Sequence, residues 1–389
     1  MPHRHRHNDI VYPGALPFVI VHLACIGIIW TGVSAATLAL CLGLYLLRMF
    51  AVTAGNHRYF SHRSYKTSRL GQFFLAFVCQ TAAQRGVVWW AAMHRAHHRH
   101  SDTVLDPHSP RHSGFWYSHV GWIFNRQNKY NADYTLVADL TKYPELMLLN
   151  RYRYVPAILL AVLMWLVGGW EVLLVGFILS TVFLYHGTFA INSVAHVVGN
   201  QRYVTGDDSR NNWWLALITL GEGWHNNHHH FQSSTRQGFR WWEVDITFYV
   251  LKIMALFRVV WDLKAPPEAV VRGERRLARP VIEKVAQELA ATFSAAGISK
   301  QIGEAWANTP DLEDLRERVQ KARSQAAALL AEIQLPHVPT LEDLQQRAQK
   351  MFAQSPSLDD IVERARQIIL EAVSMELLNP SLVPASNPV

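Results

Sequence analysis

Hydrophobic residues along this chain fall in long blocks rather than at a short regular period. Leu16 to about Gly32 and Val33 to about Thr53 form a nearly continuous apolar run. At 1.5 Å per residue it is long enough for two helices across a hydrocarbon core of about 30 Å, with a tight turn at Thr31-Gly32-Val33-Ser34. Val155–Gly168 and Glu171 to about Asn192 predict a second pair, turning at Gly168-Gly169-Trp170. The pattern therefore predicts an all-α membrane protein with four transmembrane helices in two hairpins. Two shorter apolar pieces, Gly71–Ala92 and Trp213–Gly221, are expected at the interface. The first leads through Trp89-Trp90 into His94-Arg95, and spanning would strand those histidines on the far side.

Charge orients this arrangement. Arg58, Arg63, Lys66, Arg69, Arg95, Arg99 and Arg111 lie between the hairpins. The positive-inside rule puts them in the cytoplasm with both termini, for a multi-pass protein of a bacterial inner membrane. The basic start MPHRHRH precedes an apolar run too long for a signal-peptide core, so it is expected to be retained. The net charge of +7 is spread along the chain, which argues against a nucleic-acid partner. Cys25, Cys41 and Cys79 form no C-x-x-C pair, so neither a zinc ribbon nor a cysteine-ligated iron–sulfur cluster is expected.

After Ala265-Pro266-Pro267 the composition turns to Ala, Glu, Gln, Leu and Arg. Three similar stretches start at Pro310, Pro339 and Pro356, each with capping residues: Asp311 with Asp314, Thr340 with Asp343, Ser357 with Asp360. They predict a C-terminal extension of amphipathic helices. The expected organisation is a basic arm (1–14), an integral-membrane domain (15–264) and a helical extension of unassigned role (265–389).

The chemistry is carried by histidine. "HRYFSH" runs from His57 to His62, "HRAHHRH" from His94 to His100 and "HNNHHH" from His225 to His230. "NSVAH", Asn192 to His196, stands at the foot of the last apolar block. On a helix, positions i, i+3 and i+4 share a face. His94, His97 and His98 fit that pattern, as do His225, His228 and His229, and Asn192 shares a face with His196. His57 and His62 are about 140° apart on a straight α-helix. They converge only if the second span frays or bends there. His100 and His230 fall off the stripes, rotated by about 240° from His94 and about 140° from His225.

Nine histidines, 57, 62, 94, 97, 98, 196, 225, 228 and 229, can therefore converge. One metal takes four or five, so nine point to two metals, and imidazole alone does not choose between Fe, Zn, Cu and Ni. Asp102, Asp106, Glu222, Glu243 and Asp245 are candidates to orient the rings from behind. His22, His108, His112, His119, His186 and His337 are read as ordinary core or surface residues.

"GNHRYFSHRSYKTS", "HRAHHRHSDTVLDPHSP", "GFWYSHVGWIF", "NSVAH", "GEGWHNNHH" and "VWDLK" resemble, in order and spacing, the histidine boxes of membrane fatty-acid desaturases. The likeness is to the delta-9 acyl-CoA or acyl-lipid branch, including stearoyl-CoA desaturases, and covers roughly residues 15–264. It implies a cytoplasmic histidine-rich helical cap holding a non-haem di-iron centre. The first iron would take His57, His62, His94, His98 and His228. The second would take His97, His196, His225 and His229, with Asn192 reaching it through water. The implied reaction is O2-dependent insertion of a cis double bond into a saturated acyl chain. With no haem-binding H-P-G-G and no cysteine cluster, the electrons are expected from a separate ferredoxin, rubredoxin or small cytochrome.

The resemblance also implies a bent acyl tunnel, with Gln84, Trp90 and Thr188 at the bend and Phe189 replacing a family tryptophan. Tyr45 lies at its closed end, where Met49 replaces a small residue and is expected to shorten the tunnel. The Arg-Asp pair that grips CoA in animal enzymes is Ala92-Met93 here. Of a further basic pair Arg126 remains beside Gln127, and a carrier-contacting Asn is Arg85. CoA, acyl carrier protein and phospholipid all stay open as carriers. The rival readings are a histidine-rich di-iron hydroxylase or alkane monooxygenase, and a metal or haem transporter.

Overall fold

The computed structural model describes residues 12–126, 128, 132–306, 317, 318, 320, 321 and 338–377. Most of the basic arm, Gln127 and the capping pair Asp311/Asp314 lie outside the described residues. The chain divides into two compact units, Met1–Val271 and Arg272–Val389.

The first unit is helical. Helix α1 (Tyr12–Ala24) continues through a 3-10 turn, Cys25–Gly27, and a last α-turn, Ile28–Thr31. Gly32 then turns the chain at φ 75°, a conformation that glycine adopts without a Cβ clash. Helix α2 (Ala35–Phe50) opens on a capping box between Ser34 and Thr37. Glu171 reinforces that start, accepting from Ser34 N and Thr37 Oγ1, both at 2.9 Å. Glu171 ends helix α6 (Val155–Glu171), whose last turn is broken at Gly168 and at Gly169, the latter at φ 64°. The chain then returns through Val172–Leu179 into α7 (Ser180–Ser193) and packs on α6. Two stretches, Ala35–Ser61 and Val155–His196, are long and apolar enough to cross a membrane.

The interior carries one costly charge. Arg48 is fully buried, and among the described residues no carboxylate pairs with it. Neutral oxygens satisfy it: Leu44 O at 3.1 Å, Thr181 Oγ1 at 2.7 Å, Thr81 O, Phe177 O and Ser180 Oγ. The Phe177 ring lies 5.0 Å from the guanidinium carbon. This fastens α2 to the returning helix, since a buried donor left without a partner costs about 1–3 kcal/mol.

Two expectations change. The end of α2 neither frays nor bends. It passes into a π-helix over Ala51–Ser61, in which bonds run from residue i to i+5. His62 N bonds His57 O at 3.2 Å, so residues five apart stack on one face. The apolar piece Gly71–Ala92 is not one helix. It is the end of α3 (Arg69–Gln80) and the start of α4 (Val87–His100), with a corner between them. Gln80 holds that corner, donating to Leu149 O at 3.0 Å. It lets α3 pack on the π-helix while α4 carries its histidines inward. Short strands β1 (Lys66–Thr67) and β2 (Val260–Trp261) pair antiparallel and close the unit. Val270 packs with Tyr203 and Phe239.

In the second unit, α12 (Arg279–Ala290), α13 (Ala295–Trp306), α14 (Leu341–Met351) and α15 (Leu358–Leu377) bury Leu289, Ile302, Leu344, Ile369 and Val373. Thr340 and Asp343 form the expected capping box, and Ser357 Oγ accepts the Leu277 N–H at 3.0 Å.

The π-helix lies so close to α3 that a Cβ on Gly55 would run into Cys79 Sγ and meet Leu75 Cδ1 at 3.1 Å. Gly55→Val is expected to cost about 1–3 kcal/mol by overpacking. Thermal unfolding in detergent checks this as a lower midpoint.

Candidate metal centre

The π-helix, α4, the foot of α7 and a six-residue helix, α10 (His225–His230), converge on one buried place. Between α7 and α10 lies α9 (Trp213–Ile218), and after α10 comes α11 (Ile246–Leu256). A helix as short as α10 does not hold itself together in water. Its two asparagines hold it. Asn226 Oδ1 accepts from Arg202 N and Tyr203 N at 2.8 Å, and Asn227 Nδ2 donates to Gln237 O and Glu243 Oε2 at 2.9 Å. Gly223 admits the backbone of α9: a Cβ there would collide with Ala216 N and Asn212 O. Sequence reasoning passed over Asn226 and Asn227 because their partners are distant in the chain.

The histidines form two groups, each with its ligand atoms within 4.8 Å of one another: His57, His62, His94, His98 and His228; and His97, His196, His225 and His229. In the first, Nε2 atoms face each other at 2.8 Å (His62–His94), 2.9 Å (His94–His98 and His98–His228) and 3.1 Å (His57–His228). In the second, His196 and His225 do so at 3.1 Å, and Nε2 of His97 and of His229 is buried without a protein partner. A facing pair of imidazoles can share one N–H···N bond, but Nε2 of His97 and of His229, whose Nδ1 atoms meet Asp106 and Asp207, has no protein partner, so the donor set suits a shared cation. Burial, and after it the neighbouring imidazoles, lowers the pKa of His62, His94, His98, His225 and His228. They are neutral at pH 7, as metal ligation requires. The donor set thus fits two transition-metal ions, five nitrogens for one and four for the other.

Carboxylates orient the rings from behind. Asp106 meets His97 Nδ1 at 3.0 Å and Asp102 meets His196 Nδ1 at 2.8 Å. Glu222 meets His57 Nδ1. Burial would raise these three carboxyls, but His97, His196 and His57 respectively hold them below the usual range. Glu243 and Asp245 touch no histidine of the groups: Glu243 holds Asn227 and Arg202, and Asp245 holds Arg58. Sequence reasoning missed Asp207, which meets His229 Nδ1 at 2.7 Å, because it sits in the irregular segment between α7 and α9. His108 was also read as ordinary. It stacks on His97 with ring centroids 4.3 Å apart, and burial pushes its pKa down to about 3. His230 turns away from both groups and stacks on Tyr203 at 4.1 Å. A further chain, His22–His186–His119–Ser193, runs beside the outer cavity with links of 3.1, 3.0 and 2.9 Å.

An inner apolar cavity adjoins the groups, and Trp90 lines both it and a second, outer cavity. The inner one is lined by Met49, Thr188 and Asn192, and by His57 and His94 of one group and His97 and His225 of the other. The outer one is lined by Phe18, Gln84, Arg85 and Phe189. Gln84 Nε2 donates to Thr188 Oγ1 at 2.7 Å where the cavities approach. Tyr45 lies behind Met49 and donates to Ile218 O at 2.5 Å. Arg85 lies over the Trp89 ring at 4.4 Å and donates to Ile123 O at 3.1 Å. Arg126 is exposed and lines neither cavity.

A helical protein built around two buried groups of imidazoles, with a largely apolar cavity against both, has the form of a lipid-modifying metalloenzyme. A family profile for fatty acid desaturases matches residues 33–257, more than half of the chain. The chain is 39% identical over 253 residues to an acyl-CoA 5-desaturase of Anemone leveillei, covering 64% of this chain and 78% of that protein. It is 35% identical over 258 residues to an sn-1 stearoyl-lipid 9-desaturase of Anabaena variabilis, covering 66% and 94%. It is 37% identical over 243 residues to a chloroplastic palmitoyl-monogalactosyldiacylglycerol delta-7 desaturase of Arabidopsis thaliana, covering 62% and 64%. The chain belongs to the fatty acid desaturase family and is an oxidoreductase of that kind.

His228→Ala is expected to lower the metal bound per purified chain by one ion, and His230→Ala to leave it unchanged. Elemental analysis of both variants checks the difference.

Proposed function

We propose that this enzyme is an O2-dependent di-iron desaturase that places a cis double bond, at the delta-9 position, in a saturated acyl chain. The observation that carries the reading is the inner cavity, where side chains of both histidine groups share one wall. His57, His62, His94, His98 and His228 hold one iron. His97, His196, His225 and His229 hold the other, with Asn192 reaching it through water. Bound there, the irons supply, from O2 and two electrons, an oxidant able to take hydrogen from an unactivated methylene. The overall change is –CH2–CH2– + O2 + 2e⁻ + 2H⁺ → –CH=CH– + 2H2O.

The protein's own part is to position and to exclude. Met49, Val52 and Ile191 keep the inner cavity apolar, so a methylene pair loses its water before it reaches the groups. Trp90 stacks on His94 with centroids 5.0 Å apart and stands where the chain passes from one cavity to the other. The Gln84–Thr188 bond supports the bend that selects one C–C bond. Tyr45 and Met49 close the end, and Met49 favours chains of about palmitoyl length. Phe189 and Arg85 flank the outer cavity, which takes the part of the chain nearer the carrier. CoA, acyl carrier protein or phospholipid serves as carrier, and Arg126 lies free to meet an anionic group from outside. A separate ferredoxin, rubredoxin or small cytochrome brings the electrons.

We read α1, α2, α6 and the run from Val172 through α7 as four spans in two hairpins. The turns at Gly32 and Gly169 and the two long apolar stretches support this. The cap and both termini then face the cytoplasm, in a bacterial inner membrane. Residues 15–264 form the desaturase domain, and 265–389 an extension to it.

Gas chromatography of lipids from an expressing host, with double-bond location, tests the reading. New delta-9 monoenes are expected with the native enzyme and none with His97→Ala. Hydroxy acids or alcohols in their place would overturn it. Met49→Ala is expected to shift the products toward longer chains, and an unchanged profile would remove Met49 from chain-length selection.

A further inference from the structure

The two histidine groups differ in the charge that stands behind them. Three carboxylates back the four-histidine group: Asp106 on His97, Asp102 on His196 and Asp207 on His229. Among the described residues no Arg or Lys pairs with any of the three. Neutral donors make their other bonds: Ser109 Oγ and Asp208 N on Asp102, Asp102 N and His108 N on Asp106, and Ser209 and Thr205 on Asp207. The five-histidine group has one such carboxylate, Glu222 on His57. Its charge is already met by Arg58, whose Nη2 lies 3.0 Å from Glu222 Oε1 and which also pairs with Asp245. Arg95, paired with Asp139, stands on the same side and donates to Phe60 O and Ser61 O of the π-helix.

Buried carboxylates without a cation are costly, and in proteins they are paired or sit at metals. Three of them behind four imidazoles that must be neutral to bind a metal make a strongly negative pocket, whereas the Glu222–Arg58–Asp245 cluster behind the other group includes its own cation. A carboxylate behind an imidazole also makes that imidazole a stronger ligand.

We propose that the two metal sites are unequal: the group of His97, His196, His225 and His229 binds its ion more tightly, fills first and empties last, because of Asp102, Asp106 and Asp207. This rests on the di-iron reading above. It implies a state of the enzyme with one ion in the four-histidine group, which is inactive until the five-histidine group is filled.

The test is anaerobic titration of the iron-loaded, detergent-solubilised full-length enzyme with a chelator, counting the iron that remains on the protein. Two steps are expected, the first ion leaving at a chelator concentration at least about tenfold below the second. Asp207→Asn and Asp106→Asn keep an acceptor for the ring N–H and remove only the charge. Each is expected to weaken the second step by about 10–100-fold, the usual size of such outer contacts. Glu222→Gln is expected to leave that step in place. His228→Ala is expected to retain the tight ion alone. Release of both ions in one step overturns the proposal while leaving the di-iron reading intact. A tight step unmoved by both Asp→Asn variants also overturns it. A native enzyme that never holds more than one ion overturns the di-iron reading, and the proposal with it.

Discussion

Nine imidazoles converge in two largely buried groups, and that constraint governs the rest of this structure. Burial lowers the pKa of His62, His94, His98, His225, His228 and His229, so each of these neutral rings presents one lone pair and one N–H. At 2.8–3.1 Å the facing Nε2 atoms are close enough to share a cation, and where two lone pairs face each other without one they repel. The pocket is therefore stable only if the opposite side of each ring is fixed and if the backbone holds its place against that repulsion. The carboxylates on Nδ1 meet the first need, and they come from segments far apart in the chain: Asp102 and Asp106 from the turn after α4, Asp207 from the segment after α7, and Glu222 from the loop before α10.

The backbone meets the second need in three ways. The π-helix bonds residues five apart, which brings His57 and His62 to one side without ending the helix. Arg58, on the same segment, turns away and binds Glu222, Asp245 and Thr235 O, so the first histidine box is fastened to the third through a buried cation. Asn226 and Asn227 pin the short helix α10. Farther out, Arg48 fixes α2 against the returning helix, close to where Met49 ends the inner cavity. Removing one partner from any of these clusters leaves a buried group unsatisfied, and the cost falls on the geometry of the metal pocket.

The same packing makes the chemistry selective. The cavity that reaches both histidine groups is also lined by Met49, Val52 and Ile191. Relatives named as 5-, delta-7 and 9-desaturases are 39%, 37% and 35% identical to this chain over the matched residues. Gln84 and Trp90 line the outer cavity, and Trp90, Met49 and Thr188 line the inner one.

Much of this was readable in the sequence. Long apolar runs and glycine turns report helices directly, because hydrophobic length and backbone freedom are local properties. The i, i+3, i+4 spacing of histidine marked the inward faces of α4 and α10 for the same reason, and it left His230 aside. The similarity of the motifs to a known family added the grouping of the nine rings into five and four. Other features depended on the tertiary structure, because their partners are remote in the chain. No local rule announces a π-helix over Ala51–Ser61, a corner between α3 and α4, or the pairing of Asp207 with His229. Glu243 and Asp245 looked like histidine partners by type, yet folding gave them to Asn227, Arg202 and Arg58. Which nitrogens converge was a question of periodicity; which carboxylate stands behind each of them was decided only when distant segments packed together.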